Sequence, residues 1–180
     1  DKLRLAAENY LDRFKHNPLL TGDSIAPPLS IHEAINGRPG MKGMKLSTST
    51  GFPTNCPKKQ RLIFDPTTNT YSLNTRDLAI VKQIIENYKQ GIPIRPVGTG
   101  CIKIEIRKKG KPARFFTASN WHFSIVVRMY LLPLITFMME HPEMAESAVG
   151  VNTFSKQWED IFNNLKQHPK CGDIDYKKYD

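Results

Sequence analysis

With 180 residues, 39% of them apolar and 24% charged, the chain is long enough to bury a core and too apolar to be disordered. Its 26 Lys and Arg against 17 Asp and Glu give a formal net charge of +9, which points to a polyanionic partner, nucleic acid or an anionic membrane, though solubility alone would also account for it. Cys56, Cys101 and Cys171 match no zinc spacing and fit reduced thiols in a cytosolic setting, and the five His are scattered without a metal-binding pattern.

The start, Asp1-Lys2-Leu3-Arg4, carries neither a signal-peptide pattern nor an initiator Met and reads as the interior of a longer chain. Residues 2–16 form a helix pattern with Leu3, Ala7, Tyr10, Leu11 and Phe14 on one stripe. Ser30-Ile31-His32-Glu33 has the spacing of a capping box, and Gly37 stops the short helix that follows. Residues 36–57, rich in Gly, Pro, Ser and Thr, read as an ordered loop. Within it, Lys45 to Pro53 places four hydroxyls before a Gly-x-Pro turn. Such small residues let a backbone approach a ligand closely, and their N–H and O–H groups hold phosphates. The stretch lacks the Gly-Lys-Ser/Thr ending of a P-loop, and a plain surface loop is the other reading.

Arg61–Asp65 fits a short strand. Asn74 opens a helix whose Leu78, Val81, Ile84, Ile85 and Tyr88 form a core face, ended by Gly91 and Pro93. Asp12, Asp65 and Asp77 have no acidic neighbours and read as structural. From Cys101 to Arg107, Ile102, Ile104 and Ile106 alternate with Lys103, Glu105 and Arg107, as in a strand with one apolar face. A basic turn then leads into a second strand over 114–117. This hairpin carries Lys103, Arg107, Lys108, Lys109, Lys111 and Arg114 with a single acid, Glu105, on the Lys103 and Arg107 face. Arg forks and Lys point charges suit phosphate oxygens; a solvated hairpin with its isoleucines on the core is the alternative.

Trp121–Glu140 reads as a buried helix closed by His141-Pro142. Its apolar run, Phe123–Met139, contains Arg128 and Pro133 and is short for a bilayer span, so no transmembrane segment is expected. A last helix over 154–167 carries Trp158, Ile161, Phe162 and Leu165, and Trp121 and Trp158 are expected in the core. The chain closes on Gly172-Asp173-Ile174-Asp175-Tyr176-Lys177-Lys178-Tyr179-Asp180. As a strand this puts Asp173 and Asp175 on one face, where they repel unless a cation or proton sits between them, and Mg²⁺ suits such oxygen ligands. A solvated acidic turn is the competing reading.

The order of these pieces is specific: Thr-Ser-x-Gly-aromatic-Pro, then a Lys-x-Glu-x-Arg hairpin ending in Arg114, then Asp-x4-Asp. From about residue 30 onward it resembles the RNA-dependent RNA polymerases of picornavirus-like positive-strand RNA viruses, the dicistrovirus, iflavirus and picornavirus group. Val127-Arg128-Met129-Tyr130, Ser147 to Asn152, and Trp158 fall where that family has similar residues. The resemblance implies an α/β (α+β) fold comprising the fingers and the start of the palm of a right-hand polymerase. Residues 1–127 would be fingers, with a template-entry loop at 47–53 and a nucleotide-channel hairpin at 101–117, and 128–180 would begin the palm. By the same resemblance Asp175 is the catalytic, Mg²⁺-binding aspartate, and Asp180 senses the ribose 2′-OH of the incoming nucleotide. Tyr176 supplies backbone near the triphosphate, which Lys103, Arg107 and Arg114 hold; Glu105 orients Arg114; Thr48, Ser49, Gly51 and Pro53 guide the template.

Three departures stand out. Ile104 replaces the usual middle Asp of the hairpin, and the connection from Arg107 to Arg114 is shorter than in picornaviruses. Asp173 offers a second register for the aspartate motif, but only Asp175 has an Asp five residues on. The implied partners are template and primer RNA, nucleoside triphosphates and other viral replication proteins, in the host cytoplasm at membrane-associated replication complexes. Without a Gly-Asp-Asp turn or a thumb, the 180 residues are expected to be inactive alone. The rival readings are a non-catalytic basic RNA-binding module, a metal-dependent nuclease or other phosphotransferase, and, less in keeping with Asp180, a reverse transcriptase.

Overall fold

The computed structural model describes residues 2–15, 26–170 and 172–174, apart from the side chains of Arg13 and Phe14. It is a mixed fold of helices and two-stranded antiparallel ribbons. In chain order these are α1 (Lys2–Lys15), α2 (Ile31–Asn36), β1 (Gly37–Arg38), β2 (Met41–Lys42), a 3-10 turn (Lys58–Arg61), β3 (Leu62–Asp65) and β4 (Thr70–Leu73). There follow α3 (Thr75–Lys89), β5 (Thr99–Ile102), β6 (Phe115–Ala118), α4 (Trp121–Glu140), α5 (Pro142–Ala145) and α6 (Lys156–Lys166). Contacts divide the chain into two compact units, 1–134 and 135–180.

Local chemistry explains the starts of α2 and α3. Ser30 Oγ accepts from Glu33 N while Glu33 accepts from Ser30 N, a reciprocal capping box. Asn74 Oδ1 accepts from Asp77 N at the head of α3. The core of the first unit joins α2, α3 and the first half of α4: Ala34 and Ile35 meet Val81 and Ile84, and Trp121, Ile125 and Val126 close over them. Arg128 crosses this core with its head on backbone, Nε donating to Ala34 O at 2.8 Å and Nη2 to Lys42 O. Asn36 serves as a side-chain extension of the β3–β4 ribbon, exchanging 2.8 Å bonds with both Tyr71 N and Tyr71 O.

Several expectations need correcting. The alternating stretch at 101–107 is strand only to Ile102; Ile104 and Ile106 are fully exposed, at 100% and 104%, rather than turned to the core. Extending the β5–β6 register, in which Ile102 faces Phe115, would put Glu105 opposite Pro112, which has no N–H to give. Helix α4 is only partly buried: Pro133 and Phe137 are buried in its second half, but Tyr130, Leu131, Leu134, Ile135 and Met139 are exposed. At 20 residues it is long and apolar enough to cross a membrane by length and composition, yet Trp121, Ile125, Val126 and Met129 are spent on the core of the first unit. Trp121 is buried as expected, but Trp158 on α6 is 52% exposed, and Phe162 and Leu165 beside it are exposed too. The ribbons β1–β2 and β4, and the turn of helix α5, were not legible in advance. Residues 172–174 form no strand, and the rest of the expected acidic strand lies outside the described residues, as does Cys171; Cys56 and Cys101 are free thiols.

Candidate functional site

The β5–β6 ribbon delivers the basic hairpin. Beyond its last strand pair, Lys103 N donates to Arg114 O at 2.8 Å, so the two ends of the charged loop are pinned together. Glu105 then becomes the hub. Arg114 donates to it through Nε and Nη2 at 2.7 and 2.6 Å, Lys103 Nζ lies 3.1 Å away and Arg107 Nε 3.4 Å. Arg107 also donates to Pro112 O. The fork from Arg114, then the bond from Lys103, hold the Glu105 carboxyl down at about 2. Three cations around one carboxylate leave a local positive surplus whose heads are already oriented, an arrangement suited to a polyphosphate. Lys108, Lys109 and Lys111 stand exposed on the turn.

The hydroxyl-rich loop is held from beneath. Lys58, 8% exposed, donates to Thr48 Oγ1 and Ser49 O, both at 2.6 Å, and burial lowers its amine from the usual lysine range. Thr50 is fully buried, with its N–H on Cys56 O at 2.8 Å and its carbonyl accepting from Trp121 N at 3.0 Å. Gly51 has φ +70°, and a Cβ there would stand 2.7 Å from Ser119 O, so only glycine lets the loop lie on the segment that leaves β6. Asn120 Nδ2 donates to Phe52 O at 2.8 Å, while Phe52 and Pro53, joined by a cis peptide, remain exposed.

A third group centres on Asp77, which the sequence marks only as structural. Asp77 is 1% exposed and accepts from Arg61 Nη2 at 3.0 Å and Asn74 Nδ2 at 2.6 Å; His122 Nε2 lies 2.9 Å from it. Burial pushes its carboxyl up, but the bonds from Arg61, His122 and Asn74 outweigh that and hold it below the ordinary range. His122 Nδ1 sits 3.1 Å from Asn120 Oδ1, so an unbroken polar chain runs from Arg61 through Asp77, His122 and Asn120 to the Phe52 carbonyl. The Asn-x-x-Asp spacing at the head of α3 was a usable signal for the cap. Nothing local in sequence joins Asp77 to Arg61 or to His122, 16 and 45 positions away.

The structure thus brings together Lys103, Glu105, Arg107 and Arg114 on one hairpin, and Thr48, Ser49, Gly51 and Pro53 on one loop. Asp175, Tyr176 and Asp180 lie outside the described residues. Asp173 is exposed, and among the described residues no three His, Cys, Asp or Glu gather as metal ligands.

The family model for viral RNA-dependent RNA polymerase matches residues 5–180. This chain belongs to that family. It is 33% identical over 166 residues to the replicase polyprotein of Drosophila C virus (strain EB), a match covering 81% of this chain and 9% of the polyprotein. The replicase polyprotein of Cricket paralysis virus is 30% identical over 171 residues, 86% of this chain and 10% of that one. The genome polyprotein of Porcine enterovirus 9 is 30% identical over 158 residues, 83% of this chain and 6% of that one. The chain therefore spans about a tenth or less of these curated relatives. Among solved structures, the Sicinivirus 3Dpol RNA dependent RNA polymerase superposes with a TM-score of 0.72 at 22% identity, over 92% of this chain and 33% of that one. The α+β fold described above is therefore that of part of a viral polymerase.

Proposed function

We propose that this chain is part of an RNA-directed RNA polymerase that copies an RNA template by Mg²⁺-dependent nucleotidyl transfer from nucleoside triphosphates. Residues 1–127 are the fingers and 128–180 the beginning of the palm. The observation that carries the reading is the hub at Glu105, which presets Arg114, Lys103 and Arg107 around one carboxylate. Those cations hold the triphosphate and offset its charge before chemistry begins. Glu105 fixes the Arg114 fork, and the loop carrying Thr48, Ser49, Gly51 and Pro53 guides the template strand. Tyr176 offers backbone beside the triphosphate, and Asp180 accepts from the ribose 2′-OH.

Asp173 and Asp175 carry the hard oxygen donors that Mg²⁺ prefers, so the chemistry of the donor set fits, with Asp175 as the ligand. When bound there, Mg²⁺ supplies charge stabilisation for the oxygens exchanged in phosphoryl transfer. This chain covers a third of the solved polymerase it superposes on, and we assign it no activity by itself. The parent acts in host cytoplasm at membrane-associated replication complexes, with other viral replication proteins.

Primer extension on an RNA template by the full parent polymerase, with Asp175→Asn alongside, tests this. Mg²⁺-dependent incorporation that disappears in the variant is expected. RNA binding without incorporation by either protein would replace the reading with a non-catalytic basic RNA-binding module.

A further inference from the structure

The β3–β4 ribbon has two outer edges, and only one is covered. Tyr71 turns its N–H and C=O away from β3, into 2.8 Å bonds with the Asn36 side chain, so the β4 edge is occupied there. Facing residues of an antiparallel ribbon alternate between exchanging both backbone bonds and exchanging none. With Tyr71 turned outward, its partner Phe64 is turned outward too, and so, two positions back, is Leu62. The Phe64 and Tyr71 rings, 5.0 Å apart, agree, because side chains of a non-bonded pair lie closest. Among the described residues no hydrogen bond takes up the backbone N–H or C=O of Leu62 or Phe64 on that side. Ile63 and Phe64 are exposed, at 55% and 46%, and no Lys, Pro or bulge interrupts Leu62–Asp65. An open edge of this kind is a template for another strand.

We propose that this edge pairs with the same edge of a second copy of the chain, β3 antiparallel to β3 about a two-fold axis at Ile63. Leu62 then exchanges both backbone bonds with Phe64 of the second copy, and Ile63 meets its own counterpart. The segment is complementary to itself in this register, since the next positions out set Arg61 opposite Asp65, unlike charges rather than like ones. Neighbouring registers fail. An axis at Phe64 sets Leu62 opposite Pro66, which has no N–H to return, and an axis at Leu62 sets Phe64 opposite Gln60 in the 3-10 turn, where the backbone is not extended. An unrelated strand gains the backbone bonds without this match of apolar centre and charged ends. So short an edge buries less than a standard interface, and the pair is transient rather than obligate. The inference goes beyond the function given above, because the association needs neither template nor nucleotide.

The test is sedimentation equilibrium of the full parent protein, free of RNA, over a range of concentrations, with Ile63→Lys and Ile63→Cys beside it. Ile63 is exposed, so neither change removes core packing and the melting temperatures should stay together. Self-association of the parent is expected, and Ile63→Lys should weaken it at least about fivefold, the size of one unfavourable cross-strand pair of like charges. Facing residues of a non-bonded pair have Cα atoms about 4.5 Å apart, within disulfide range. With oxidised glutathione, Ile63→Cys should therefore give a disulfide dimer that neither the unaltered parent nor Ser72→Cys gives, Ser72 being exposed but one strand away from the axis. Absence of that disulfide dimer, together with a parent that is monomeric throughout or whose association survives Ile63→Lys, would overturn the proposal and leave the edge to a different protein.

Discussion

Arg114 grips Glu105 from nine residues away, its Nε and Nη2 lying 2.7 and 2.6 Å from the two carboxylate oxygens. The fork needs the hairpin to fold back at its turn, and it leaves Lys103 and Arg107 on the remaining edges of the same carboxylate. Pairing of this kind on an exposed ribbon adds little to stability; what it sets is the direction of three cationic heads.

Glu105→Gln keeps the shape and removes the charge. In the parent polymerase the KM for nucleoside triphosphate should rise about tenfold, the loss of one charge-assisted contact made through Arg114, with kcat less affected. Its melting temperature should stay close to that of the unaltered protein. A large fall in melting temperature with an unchanged KM would show that the cluster is structural instead.

The pH dependence has a definite sign. The Glu105 carboxyl is depressed to about 2 in the folded chain, chiefly by Arg114. Its contribution is therefore complete above the unfolded carboxylate range near 4.5 and is lost as pH falls toward 2. Carbon-detected NMR titration of Glu105 should show no midpoint between pH 7 and 4; a midpoint at its ordinary value would mean that the fork does not persist in solution.

Asp77→Ala strands Arg61 and His122 beside a buried gap. Breaking a buried pair from one side costs about 3 kcal/mol, which should appear as a lower urea midpoint at constant slope. Because the polar chain ends on the Phe52 carbonyl, template KM should rise with it.

Gly51→Ala places a methyl group against the Ser119 carbonyl at a φ that alanine avoids. The expected loss exceeds about 1 kcal/mol, and template affinity should fall while triphosphate KM holds. Equal effects on both substrates would argue that loop and hairpin act as one site.

How much of this the sequence disclosed follows the range of the interactions. Ser30 with Glu33, and Asn74 with Asp77, meet within one helical turn, so the starts of α2 and α3 could be read directly. Glu105 was legible as the lone acid among bases, because its partners are a few positions away on the same hairpin. Alternation misled at Ile104 and Ile106: the period was right for a strand, but Pro112 gives the facing segment no donor with which to pair. Trp158 shows the complementary limit, since an amphipathic helix declares that one face seeks cover without saying what covers it. The links of Asp77 left no local mark because its partners come from distant parts of the chain, Arg61 at the end of the 3-10 turn and His122 at the head of α4.

Ile104 and Ile106 carry a practical consequence. Two fully bared isoleucines, with Phe115 at 75% exposure on the opposing strand, give the tip of the ribbon an adhesive apolar edge between its charges. Six nearby cations keep identical copies apart at low ionic strength, and added salt removes that protection. The excised segment should therefore be most soluble in dilute buffer and should cloud as salt is raised, the reverse of the conditions usually chosen to keep basic RNA-binding proteins in solution.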